Sequence, residues 1–249
     1  MGYQIRINNA LTKKYEAVNS VAFSKFLAFA QGLKFQKLYY LGKDTCTETY
    51  YDTANHLLNH TGIILSRVKE NDNIFFKVEG TSSLSEVLNK IGKEVFVHKV
   101  GENDNLTDHG FYIKDGITSL FQRTFSIELE NVIKNAEPKM EIKINADIYD
   151  IVSGTGMRGK LALENKVVIN FETNRTYSVQ SLTVKLESNP DAYLDEFENL
   201  NQLIQKNCKD FILVDEDQFD WANKVTKEVT KEQIKKSKKE FKEKLNSKE

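Results

Sequence analysis

Between residues 44 and 187 the chain is a succession of short runs rich in β-branched and aromatic residues: "CTETYYDT", "GIILSRV", "NIFFKVE", "EVFVHKV", "SLFQRTFSIELE", "KMEIKINADIYDIV", "KLALEN", "KVVINFET" and "SLTVKLES". Side chains of these types pack well on a pleated surface, and loop signals such as "GENDN", "KDG" and "SGTGMRG" separate several of the runs. Only two prolines occur in 249 residues, so little interrupts a hydrogen-bonded ladder. Many short strands at hairpin spacing predict one large antiparallel sheet, closed on itself because closure removes exposed edges. The fold class expected is α+β, mainly antiparallel β, with flanking and C-terminal helices.

The helices are legible at either side of the strands. "NSVAFSKFLAFAQGL" has apolar residues at helical spacing, Ser20 as an N-cap and Gly32 as a stop, and "YQIRINN" before it alternates as a strand. After Pro190, "DAYLDEFENLNQLIQKN" carries Leu194, Phe197, Leu200, Leu203 and Ile204 at three- and four-residue steps, which lays one face on the sheet. The domain expected spans residues 1–222, and residues 223–249 read as a Lys-rich helical or disordered tail.

Charge and composition exclude several functions. Thirty-five Lys plus Arg face 36 Asp plus Glu, a net charge of −1, so no bulk field draws the chain to nucleic acid or an acidic membrane and any anion site must be local. No apolar run approaches the roughly 20 residues that span a bilayer. Cys46 and Cys208 have no metal-ligand spacing, and no charged-then-apolar leader opens the chain, so a reduced, cytoplasmic protein is expected. Of the four histidines only His56 and His60 share an i, i+4 spacing, in a segment that reads as a turn.

The hairpin "GIILSRVKENDNIFFKVEG" spends Arg67, Lys69 and Lys77 inside apolar runs. Pairing across a three-residue "NDN" loop puts Arg67 opposite Lys77 and Lys69 opposite Phe75, all on one face, where opposed like charges destabilise a sheet. Arg123, Lys143 and Lys185 likewise sit in apolar-alternating strands. Cations clustered on the inner face of a closed sheet repel one another unless anions occupy it, and a polyphosphate is the natural occupant.

"ETYYDTANHLLNHTGIILSRVKENDNIFFKVEG" resembles the signature of CYTH domains, the triphosphate tunnel metalloenzymes: a "YYDT" strand, a glycine, a basic-x-basic strand and a return strand carrying lysine. The resemblance implies a closed eight-stranded tunnel in which Arg and Lys grip a triphosphate while glutamates hold Mg²⁺ or Mn²⁺. It assigns Arg6, Arg67, Lys69, Lys77, Arg123, Lys143 and Lys185 to phosphate binding, with Lys77 and Arg67 as catalytic groups, and leaves Glu141, Glu172 and Glu187 as the metal ligands. The chain departs from the family where its first strand has Glu-x-Glu-x-Lys, since Gln4, Arg6 and Asn8 stand there, and Lys185 precedes Glu187 where a Glu-x-Glu is usual. Fewer carboxylates weaken a hard-cation site.

Two readings therefore stand. One is a metal-dependent phosphohydrolase acting on a nucleoside triphosphate or inorganic triphosphate, with adenylyl cyclase chemistry second to it. The other is a catalytically degenerate tunnel that binds or sequesters such a ligand. The partner expected is a small polyphosphate or nucleotide, with no membrane and no sequence-specific nucleic acid; a homodimer is compatible with the sequence, which fixes no oligomeric state. A third motif, "GTGMRGK" at Gly154 to Lys160, matches a P-loop string, but Leu161 replaces the Mg²⁺-binding Ser/Thr and no helix is expected after it, so a hairpin loop explains it better.

Overall fold

The computed structural model describes residues 11–33, 36–60, 62–80, 95–102, 129–215 and 218–226. Among the described residues nine strands form one antiparallel sheet: β1 (Thr12–Ala17), β2 (Gln36–Asp52), β3 (Ile63–Glu70), β4 (Asn73–Gly80), β5 (Val95–Val100), β6 (Glu137–Ser153), β7 (Arg158–Asn170), β8 (Arg175–Leu186) and β9 (Phe211–Val214). Their order is β5-β4-β3-β2-β6-β7-β8-β1-β9. Among the described residues β5 and β9 are the two ends of the sheet, and no ladder joins them. Helices are α1 (Ala22–Gln31), α2 (Leu57–His60), α3 (Leu129–Lys134), α4 (Pro190–Asn207) and α5 over residues 218–226.

One expectation changes, and another falls outside the described residues. The sheet's first described strand is β1, whereas the alternating segment at 3–8 lies outside the described residues. "KLALEN" and "KVVINFET", read as two strands, form the single strand β7, because nothing between them bends the backbone: Asn165 faces out, Lys166 faces in, and the alternation continues unbroken. The glycine-rich string is the β6–β7 hairpin loop: Ser153 N–H donates to Met157 O at 3.0 Å, and Gly156 takes φ +101°, a conformation that favours glycine. No helix follows it, so the phosphate cradle of a P-loop is not formed.

One face of β7, β8 and β1 is covered by α1 and α4. Phe26 and Ala30 from α1, and Phe197, Leu200 and Ile204 from α4, pack with Leu161, Leu163, Leu182, Val184 and Tyr15. The expected Ser20 cap is not used; the Asn19 side chain accepts the Val21 N–H at 3.1 Å, and the helix starts at Ala22. Asn189 caps α4 by accepting the Asp191 N–H, with Pro190 opening the helix, where its missing N–H leaves no bond unmade. Leu194 points to solvent, and Asn201 takes a place in the buried stripe by accepting the Tyr15 hydroxyl at 2.9 Å. Burial pushes the Tyr15 phenol up to about 12 and the Cys208 thiol up to about 11. Both cysteines are buried, so Ellman's reagent should label neither thiol of the native protein at pH 8 and both after unfolding; fast native labelling would contradict this packing.

The "YYDT" motif has a structural task. Asp52 Oδ1 accepts the N–H groups of Thr53 and Leu58, its Oδ2 accepts that of Asn59, and Thr53 Oγ1 accepts that of Leu57. These bonds satisfy donors that the one-turn helix α2 leaves open.

The other face of the sheet is concave. Gln218 and Trp221, one turn apart on α5, bond Glu48 of β2 and Glu16 of β1. Four ladder steps separate those strands, about 19 Å across a flat sheet, against a helix about 10 Å wide, so the sheet must wrap around α5. Trp221, Ala222 and Val225 pack there on Cys46, Tyr50, Val68, Ile142, Ile144 and Val168. The helix thus runs past residue 222.

Candidate functional site

Register decides which cations share a face. The β3–β4 turn holds two residues, Asn71 and Asp72, with Asn71 at φ +52° and Glu70 paired with Asn73. One residue fewer in the loop than the "NDN" reading slips the pairing by one, and a slip by one exchanges the faces of a strand. Ser66 now opposes Lys77, while Arg67 opposes Phe76 and Lys69 opposes Ile74.

Following the ladders, Lys77, Glu48, Lys166, Glu164, Lys160, Lys185, Lys14 and Glu16 fall on the concave face. Arg67, Lys69, Glu141 and Lys143 fall on the opposite one. There Lys69 pairs with Glu102 at 2.8 Å, Arg67 donates to the Glu102 carbonyl at 3.0 Å, and Lys143 pairs with Glu141 at 3.1 Å. Lys69 holds the Glu102 carboxyl below its ordinary range. Of the phosphate-binding set read from sequence, the structure therefore brings Lys77 and Lys185 to the inner face and leaves Arg67, Lys69 and Lys143 outside. Arg6 and Arg123 lie outside the described residues.

Two buried ion pairs occupy the concave face. Glu48 Oε1 meets Lys77 Nζ at 3.0 Å and accepts the Ser66 hydroxyl at 3.0 Å, with the two charged side chains 1% and 8% exposed. Glu164 Oε2 meets Lys166 Nζ at 2.9 Å and accepts the Ser181 and Thr183 hydroxyls. The Lys166 ammonium also lies 5.4 Å from the Trp221 ring centroid. Toward one end of the same face, Lys160 and Lys185 are directly opposed across β7 and β8, and Lys160 pairs with Glu187 at 2.9 Å. Burial lowers the Lys185 ammonium below the ordinary lysine range, Glu187 partly offsets this, and Lys160 lowers it further. A pocket beneath α5 is lined by Lys14, Glu16, Lys166, Ser181, Gln218 and Trp221, among others.

The carboxylates expected to hold a metal do not converge. Glu141 bonds Lys143 and Thr49 on the outer face; Glu172 lies in the β7–β8 loop, past the strand in which it was expected, bonded to Lys139 and His56; Glu187 follows β8 beside Lys160. Each is matched with a lysine, and no three His, Cys, Asp or Glu of the described residues gather as a ligand set. Among the described residues, the donors do not fit a divalent cation that needs several oxygen ligands. His56 and His60 stack edge to face at 6.5 Å in the α2 turn.

Glu16, Glu48, Glu164, Lys14 and Lys166 are site residues that sequence reading missed. Their signal was alternation in phase with Lys77 and Lys185, which becomes usable only once the register is known.

The structure is similar to that of a candidate adenylyl cyclase from Hippeastrum, HpAC1, described as having a dominant triphosphatase activity, with a TM-score of 0.54 and 9% identity over 86% of this chain and 95% of that one. The chain has a CYTH-like fold. Further similar structures include a candidate adenylate cyclase from Bacillus halodurans (TM-score 0.46, 12% identity, 78% of this chain and 89% of that one) and the PH1819 protein of Pyrococcus horikoshii OT3 (TM-score 0.43, 11% identity, 88% and 99%). No family model and no curated protein matches the sequence. In this CYTH-like sheet no described helix is long and apolar enough to cross a membrane.

Proposed function

We propose that the concave face binds a small ligand bearing a triphosphate or polyphosphate, and that the protein is a binding or sequestering module in which efficient metal-dependent hydrolysis has been lost. The observation that carries this reading is the opposition of Lys160 and Lys185 on the concave face, with Lys185 only 6% exposed. Lys160 is partly exposed, and two ammonium groups opposed on a partly buried face repel unless negative charge lies near them. Glu187 and, opposite Lys160 by register, Asp150 supply negative charge there, and phosphate oxygens are a further match for the two cations. Arg175 lies on the same face by register, at the other end of β8 from Lys185, and among the described residues its buried Nη1 has no hydrogen-bond partner, a donor that a separate anionic oxygen would satisfy. The dispersal of Glu141, Glu172 and Glu187 supports binding over hydrolysis.

Hydrolysis is the second reading, favoured by the triphosphatase activity described for the Hippeastrum protein of like fold. Thermal shift with inorganic triphosphate, ATP and pyrophosphate, each with and without Mg²⁺ or Mn²⁺, separates the two. At a ligand concentration about 100 times Kd the gain is about 2.7 kcal/mol, or roughly 5–10 °C in Tm for a chain of this size. Stabilisation without metal and without phosphate release over hours is expected. Metal-dependent turnover would establish the enzyme instead, and no shift with any of the three would remove both readings.

A further inference from the structure

We infer that α5 and the phosphate-bearing ligand compete for the concave face, so that the helix is a built-in occupant which the ligand displaces. The inference rests on the binding reading above and adds its regulation. Gln218 Nε2 donates to Glu48 Oε2 at 3.1 Å, and Trp221 Nε1 donates to Glu16 Oε2 at 2.8 Å. Those carboxylates lie on the same face as Lys77, Lys166 and Lys14, and the Trp221 indole covers the Lys166 ammonium. The Phe219 ring packs on Tyr50 at 5.0 Å, closing the space between β2 and the helix. A phosphate chain reaching from Lys160 and Lys185 to Lys14 needs the volume that Trp221 and Gln218 fill, because these two side chains and Lys14 line one pocket. The two arrangements exclude each other by volume.

The seat of α5 is one that can open without unfolding the domain. Among the described residues the helix buries Trp221, Ala222, Val225 and Thr226 and packs Phe219 on Tyr50, beside the hydrogen bonds from Gln218 and Trp221. The larger packing of α1 and α4 is on the other face of the sheet and does not involve α5. Elements with few buried contacts open locally at a fraction of the global free energy. When the competent state is only fractionally populated, the apparent affinity falls by that fraction, and a change that loosens the seat restores it.

Trp221 is the chain's only tryptophan, so its emission reports this seat alone. Inorganic triphosphate is titrated into the full chain while tryptophan emission is followed, with sulfate at matched ionic strength as control and calorimetry as an independent measure of binding. Val225→Ala, which trims the seat while keeping the reporter, is treated identically. A red shift that saturates at the calorimetric midpoint, with roughly 3- to 10-fold tighter binding by Val225→Ala, is expected. Binding by the variant alone also supports competition. Calorimetric binding with unchanged emission, or with no gain in the variant, overturns the competition while leaving the binding reading intact. No heat and no emission change in either protein overturns both.

Discussion

Replacing Glu48 with alanine lowers the free energy of unfolding by about 3–5 kcal/mol, the largest loss expected from any single charge in the described part of the chain. Glu48 is 1% exposed and is bonded to Lys77 Nζ, to the Ser66 hydroxyl and to the Gln218 amide. Its removal leaves an ammonium group in a dry setting with its nearest counter-charge gone. Because native domains are stable by only about 5–15 kcal/mol, the variant should sit near its folding threshold. The double variant Glu48→Leu with Lys77→Met should recover most of the loss, since replacing a buried pair by hydrocarbon of similar volume is often neutral or stabilising. Urea unfolding followed by far-UV circular dichroism measures both. A loss below about 1 kcal/mol in Glu48→Ala would mean that water reaches the pair and that the inner face is open.

That pair also shows how one surface can hold lysines without being a strongly basic channel. Lys77 and Lys166 each have a carboxylate of the same face within ion-pair distance. Lys160, Lys185 and Lys14 lie outside those two pairs, toward one end of the same face, with Glu187, Asp150 and Glu16 beside them by register. Beside it the face is apolar, lined by Ile142, Ile144, Val168 and Val68 and closed by Trp221. A phosphate bound as proposed would meet Lys160 and Lys185 at the edge of a covered cleft.

Much of the fold was legible because strand patterns are local. β3, β4, β6 and β8 stand where alternation and turn signals put them, and α4 begins at Pro190 as its capping residue demands. What was not legible depended on pairing. A single residue in the Asn71–Asp72 turn sets whether Arg67 or Ser66 faces inward, and no property of "SRVKE" alone distinguishes the two. Lys77 and Lys185 were legible because a lysine flanked by Val, Phe or Leu in a buried strand is unusual whichever way it points. Glu48 and Glu164 were passed over because an acid in a strand is more often solvated, and only the lysine across or along the ladder reveals that it is buried. The role of α5 was hidden for a related reason: its residues contact strands β1 and β2, far away in sequence, and its own pattern is short. The "YYDT" block, which carried the family resemblance, owes its aspartate to the cap of α2.

The second large effect follows from the two faces of the sheet. Two groups of variants are compared for binding of inorganic triphosphate by calorimetry at one ionic strength. The inner variant combines Lys14→Gln with Lys185→Met, and far-UV circular dichroism checks that both groups of variants are folded. The outer variant combines Arg67→Ser, Lys69→Ser and Lys143→Ser, of which Lys69 and Lys143 are 44% and 51% exposed. Losing charge-assisted bonds to phosphate at roughly 1.5 kcal/mol or more each should weaken the inner variant about 100-fold, and the outer variant should change by less than about 3-fold. Full affinity in the inner variant together with loss in the outer one would contradict the account, because the phosphate would then bind the convex face.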